Sequence, residues 1–208
     1  MSEKEEVLRQ ISEIKSHLID KQSFFPYNYN ACYIWSIIAL ILTLTMPLVY
    51  GYGVLVGTVT VSVLMSFGFI VEGMMTKKVN ESYDIDDCTA KQEFITKSFM
   101  MISFFLIALS ATLAIYQLYT LIYLSWLALI SFGYFLVGFV VNVKNFKIMA
   151  QFNVYLSILL LAFAFFTNQL EGSESLLFRV VQIALIFGLT IFPAIIAWQR
   201  KQEEACSV

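Results

Sequence analysis

The chain has 208 residues, of which 59% are hydrophobic and 13% charged, with a mean hydropathy of +0.77. That balance excludes an ordinary soluble domain, which needs enough polar groups to cover itself, and makes the lipid bilayer the expected solvent. A net charge of −2 says little about partners, and nucleic acid is not an expected one.

Residues 2–21, "SEKEEVLRQISEIKSHLIDK", differ from the rest. Val7, Ile11, Ile14 and Leu18 recur at spacings of four, three and four, which predicts an amphipathic helix with one apolar face. Ser2 with Glu5 has capping-box spacing. The mixed acids and bases argue against a basic membrane-surface helix, and two heptads are too few for a coiled coil in isolation. Its apolar face packs beneath the bundle or along the interface, associates with itself, or meets a protein partner. With its mixed charge and no cleavable apolar core, the segment is not expected to be a secretory signal. "FFPYNYN", residues 24–30, follows as a breaker at Pro26 with aromatic side chains suited to the headgroup zone.

Six spans are then expected, at roughly 31–49, 53–74, 98–117, 120–141, 149–167 and 179–198. No Asp, Glu, Lys or Arg occurs between Gln22 and Val71, Ser98 and Val143, Ile148 and Leu170, or Val180 and Gln199. Each window holds one or two runs of spanning length, without the alternation of barrel strands, so helices are predicted. The fifth span has the weakest pattern, with Gln151 and Asn153 near its start. Threading six spans puts twelve of the thirteen Lys and Arg residues on one face and only Arg179 on the other. The positive-inside rule then predicts both termini in the cytoplasm. Cys32, Cys88 and Cys206 fall on that same side, so reduced thiols and no disulfide framework are expected.

The predicted organisation is an all-α polytopic membrane protein in three parts. Residues 1–30 form the cytoplasmic helix and aromatic hinge, 31–200 the transmembrane domain, and 201–208 a cytoplasmic tail. The 76–94 loop carries Glu81, Asp84, Asp86 and Asp87, but it lacks the glycine and closing glutamate of a twelve-residue calcium loop. Links on the other face are short, "YGYG" at 50–53 and "QLYT" at 117–120, which predicts antiparallel hairpins at about 31–74, 98–141 and 149–198.

These hairpins carry a repeated phrase. "SFGFIVEGMMTKKVN" at 66–80 matches "SFGYFLVGFVVNVKN" at 131–145, placing Gly68 over Gly133 and Gly73 over Gly138. A third copy sets Gly188 and Pro193 at the same spacing, and Ser36, Ser103 and Ser157 precede the three phrases by similar intervals. Three hairpin repeats in one orientation are inferred. In lipid, a glycine lets a neighbouring backbone approach, and the adjoining Phe is expected to fill the gap beside it. The other reading is a pore or pocket flexed at Gly73, Gly138 and Pro193. Six spans as three hairpins, with Pro47 ending the first helix and Gly57, Gly68 and Gly73 punctuating the second, resemble the HdeD-like family of small bacterial inner-membrane proteins. That resemblance implies a stress-related bacterial inner-membrane protein and transfers no functional residue. The N-terminal helix and the 76–94 loop depart from the family's pattern, and the later hairpins have no counterpart of Pro47.

Chemistry is sparse. His17 is the sole histidine, so bis-histidine haem, a two-histidine zinc site and a Ser-His-Asp triad are excluded within one chain. No phosphate-cradling glycine loop or nucleophile elbow is present. No cofactor and no enzymatic activity are expected. Glu72 is the one acid within a predicted span. It is either an interfacial carboxylate paired with Lys144 or Lys147, or a proton or cation site. Asn142, Asn153 and Gln182 are expected to bond between helices. Two functions follow: an accessory scaffold binding a partner through the N-terminal helix and 76–94 loop, or a small-solute or ion transporter using Glu72 and the hairpin glycines.

Overall fold

A computed structural model describes residues 27–83 and 89–206. Every regular element among them is helical: α1 (Tyr29–Gly51), α2 (Val54–Ser82), α3 (Ala90–Ile115), α4 (Tyr119–Val140) and α5 (Lys144–Thr167). A composite last span follows, made of α6 (Leu176–Leu185), a π-helical turn (Ile186–Ile191) and α7 (Phe192–Cys206). Six stretches are long and apolar enough to cross a membrane, which fits a multi-pass membrane protein. Their outward faces are apolar as well, with Leu48, Leu55, Phe104 and Phe166 exposed; such surfaces suit lipid, which is as apolar as the side chains it meets.

The helices outrun the apolar windows because intrahelical hydrogen bonding does not stop where lipid stops. α2 carries the exposed Lys77 and Lys78 and continues to Ser82, so most of the expected 76–94 loop is helix. α3 begins at Ala90 because Thr89 and Gln92 form a capping box, the Gln92 amide donating to Thr89 Oγ1 and the Thr89 amide to Gln92 Oε1. Gln92 also exchanges two hydrogen bonds with Asn80, at 2.7 and 3.0 Å. This buried amide pair closes the α2–α3 corner. Asp84, Asp86, Asp87 and Cys88 lie outside the described residues, as does the predicted helix carrying Val7, Ile11, Ile14 and Leu18.

α4 is the central helix. Its apolar stretch is 56% buried, against 22–39% for the other spans. It packs most extensively on α5, then on α3, and also touches α6. The short turn at Val141–Val143 makes the α4–α5 corner possible, with Asn142 in the left-handed region and the Val143 amide bonding back to Gly138 O. α1 pairs with α2 and also lies along the π turn and α7, whereas α5 makes little contact with the last span. The first two expected hairpins are thus closely packed pairs, and the third is open because its two helices pack on α4 and α1 instead. α1 does not pack closely on either α3 or α4, which leaves space between them.

Two prolines free backbone carbonyls, and other helices cap both. Pro47 has no N–H for Thr43 O; that carbonyl accepts from Tyr123 Oη at 2.5 Å and Gln182 Nε2 at 3.0 Å. In the five-residue register of the π turn, Pro193 would be the donor to Gly188 O, and Asn153 Nδ2 takes its place at 3.1 Å. Asn153 Nδ2 also donates to Ser131 Oγ at 3.0 Å. Asn153 and Gln182 therefore bond between helices, while Asn142 stays in its turn and accepts from Lys147 Nζ at 3.1 Å.

Candidate functional site

A chamber of about 80 Å³ occupies the gap beside α1. A cavity needs roughly 10–15 Å³ to hold one water, so this one can hold several waters or a small organic group. Its walls are stripes at helical spacing. α1 contributes Trp35, Ile38, Leu42 and Met46; α3 contributes Ile95, Phe99 and Ser103; α4 contributes Tyr123, Trp126, Ile130 and Tyr134. Leu185 and Leu189 line it from the last span, and Met65 and Glu72 from α2. Along α1 the lining runs from Ala31 to Met46, about 22 Å at the helical rise.

Glu72 is half-buried at one end of this chamber, and its Oε2 accepts from Trp35 Nε1 at 2.7 Å. The expected pairing with Lys144 or Lys147 is not formed: among the described residues Glu72 has no ion pair, and Lys147 bonds Asn142 and lies over the Phe139 ring. Eighteen residues separate Val54 from Glu72, about 27 Å of rise. Measured from Val54, Glu72 thus lies just inside the far boundary of a hydrocarbon core about 30 Å thick. The carboxylate of this span turns toward a protein cavity.

Its surroundings are aromatic and neutral. Tyr27 Oη lies 3.5 Å from the buried Cys32 Sγ, and Tyr134 lines the same chamber as Cys32 and Glu72. Ser103 is 3% exposed, and its hydroxyl has no hydrogen-bond partner among the described residues. At the same end, Asn28 Nδ2 donates to Thr76 Oγ1 at 3.3 Å and Lys201 Nζ to Asn30 Oδ1 at 2.9 Å. These bonds tie the start of α1 to α2 and α7.

Four of the repeat glycines mark close approaches. A Cβ at Gly68 would meet Ile38 at 2.6 Å and the Trp35 ring at 2.8 Å; one at Gly133 would meet Phe99 at 2.7 Å. At Gly138 it would meet the Lys147 backbone nitrogen at 2.9 Å, and at Gly188 it would meet Leu127 and Asn153 at 2.8–2.9 Å. Gly73 has nothing within 4 Å, so close packing does not account for it. The expected role of the adjoining Phe residues is not met: Phe67, Phe132 and Phe187 are exposed, because consecutive helical residues point about 100° apart. Gly68 and Glu72 lie one turn apart on α2, and Phe69 meets Trp35 edge-on at a centroid distance of 4.9 Å. Together they seat the indole whose N–H reaches the carboxylate.

The sequence singled out Glu72 and marked Ser103 as a repeat position, but gave no sign that Trp35 and Tyr134 would share a chamber with them, which only packing arranges. No protein-family model, curated protein or solved structure matches this chain.

Proposed function

We propose that this chain is a non-enzymatic inner-membrane protein, with its lysine-rich face toward the cytoplasm, that binds a small solute in the chamber beside Glu72 and passes it across the bundle. The observation that carries this reading is that the intramembrane carboxylate turns into a cavity and bonds an indole rather than a lysine. An intramembrane acid is retained at a cost unless it serves a pathway or a partner. Three hairpin repeats of one origin, diverged at Glu72, would give such a pathway an asymmetric site. The rival accessory scaffold, binding a partner through the N-terminal helix and the 76–94 loop, draws its support from the sequence pattern alone.

Thiol accessibility in lipid tests the reading. In a chain lacking Cys32, Cys88 and Cys206, Ser103→Cys puts a thiol on the chamber wall. Phe104→Cys, one residue on, puts a thiol on the lipid face, where Phe104 is 70% exposed. A charged methanethiosulfonate applied from either side of a vesicle should modify the first and spare the second. Protection of both thiols from both sides means a dry bundle and returns the protein to the scaffold class.

A further inference from the structure

We infer that the ligand of this chamber is a small organic ammonium ion, its charged head at Glu72 and a short apolar body along α1. The inference rests on reading the chamber as a solute site. A carboxylate offers about four acceptor positions, and among the described residues Glu72 uses one, for Trp35 Nε1. No described cation pairs with it. The aromatic residues lining that end are Tyr27, Trp35, Phe99 and Tyr134, ring types that attract an alkylammonium through the negative π face. Beyond them the wall is aliphatic, formed by Leu42, Met46, Met65 and Leu185.

Other ligand classes fit less well. An anion would be repelled by Glu72. A bare divalent ion needs six or more oxygens, and among the described residues Glu72 is the one carboxylate on this wall. A neutral apolar molecule would leave the open acceptor positions of Glu72 unused. An amphipathic cation uses both halves of the chamber, and the unpartnered Ser103 hydroxyl provides a second polar contact along its length.

Benzylammonium and benzyl alcohol, nearly isosteric and differing in charge, are the probes. Trp35 and Trp126 line the chamber, so their fluorescence reports occupancy of the full chain in detergent once Trp198→Phe removes the third tryptophan. Benzylammonium should bind saturably, and Glu72→Gln should weaken it about tenfold or more, as expected for loss of a charged hydrogen bond. The glutamine keeps an acceptor for Trp35. Ser103→Phe, which fills the chamber without touching Glu72, should abolish binding. Benzyl alcohol should bind at least about tenfold more weakly and ignore Glu72→Gln. Equal binding of both probes, unaffected by Glu72→Gln but lost in Ser103→Phe, overturns the cationic ligand and leaves the solute site standing. No saturable binding of either probe also overturns the cationic ligand; if the Ser103→Cys thiol is then unreactive from both sides, the solute-site reading falls with it.

Discussion

Thr43 O is the carbonyl that Pro47 cannot serve, and two side chains from other spans serve it instead, Tyr123 at 2.5 Å and Gln182 at 3.0 Å. Interhelical hydrogen bonds in membrane proteins average about 0.6 kcal/mol and reach about 1.7. Removing one donor leaves the carbonyl with the other, so Tyr123→Phe or Gln182→Ala should each cost about 1 kcal/mol. The phenylalanine keeps the ring packed edge-on against Phe178, at a centroid distance of 4.9 Å. Removing both strands a buried carbonyl, which adds on the order of 1–3 kcal/mol, so the double variant should cost about 3 kcal/mol or more and exceed the sum of the singles. Pro47→Ala restores an N–H one turn away. In that background the double substitution should fall to about 1 kcal/mol, the packing loss at Gln182. Reversible unfolding in mixed detergent micelles, followed by circular dichroism, measures each corner of the cycle. An equal cost with and without Pro47 would show that the two bonds do not serve a proline-freed carbonyl.

The glycines separate by what they face. Gly138→Ala pushes a methyl to 2.9 Å from the Lys147 backbone nitrogen, and because backbone yields poorly it should destabilise by about 1–3 kcal/mol. Gly73→Ala meets nothing within 4 Å and should be neutral or stabilising by up to about 1 kcal/mol through helix propensity. Thermal melts that rank the two in the opposite order would refute the packing assignment. Cys32 is 1% exposed and lines the chamber. In a chain with Cys88→Ser and Cys206→Ser, N-ethylmaleimide should label it slowly, and benzylammonium should slow it severalfold further. Labelling as fast as a free thiol, with or without benzylammonium, would remove Cys32 from the chamber wall.

The six spans were legible because lipid demands long uncharged runs, and 208 residues supply them with few interruptions. Span ends were less legible, since hydropathy marks where lipid ends, and α2 runs on through Lys77 to Ser82. The π turn was hidden as well. Pro193 announces a break in hydrogen bonding, but whether the helix bends, or shifts to a five-residue register with Asn153 capping Gly188 O, depends on a neighbour 35 residues away. Glu72 stood out as an acid in an apolar run, yet the lysines expected to pair with it, Lys144 and Lys147, do not. Trp35 reaches it only because Gly68, one turn below, leaves room for an indole on α2. The glycines could be read as close approaches, but nothing local tells what approaches each one.

The placement of the irregular backbone has a consequence for how a chamber enclosed on several sides could admit a solute. The proline-bearing α1 and the last span lie against each other, and both contribute to one wall, while the regular helices α3 and α4 form the facing wall. Tyr123 on α4 holds Thr43 O, and Asn153 on α5 holds Gly188 O, so the irregular pair is pinned to the regular helices through the same carbonyls the prolines release. The Tyr123 pin is a side-chain hydrogen bond of about 1 kcal/mol, because Gln182 still holds Thr43 O, and breaking the Asn153 pin adds the cost of one stranded carbonyl, on the order of 1–3 kcal/mol. A broken turn of continuous α-helix in lipid would instead expose several unsatisfied backbone groups at several kcal/mol each. Separation of the walls therefore costs least where the prolines have moved backbone bonding onto side chains.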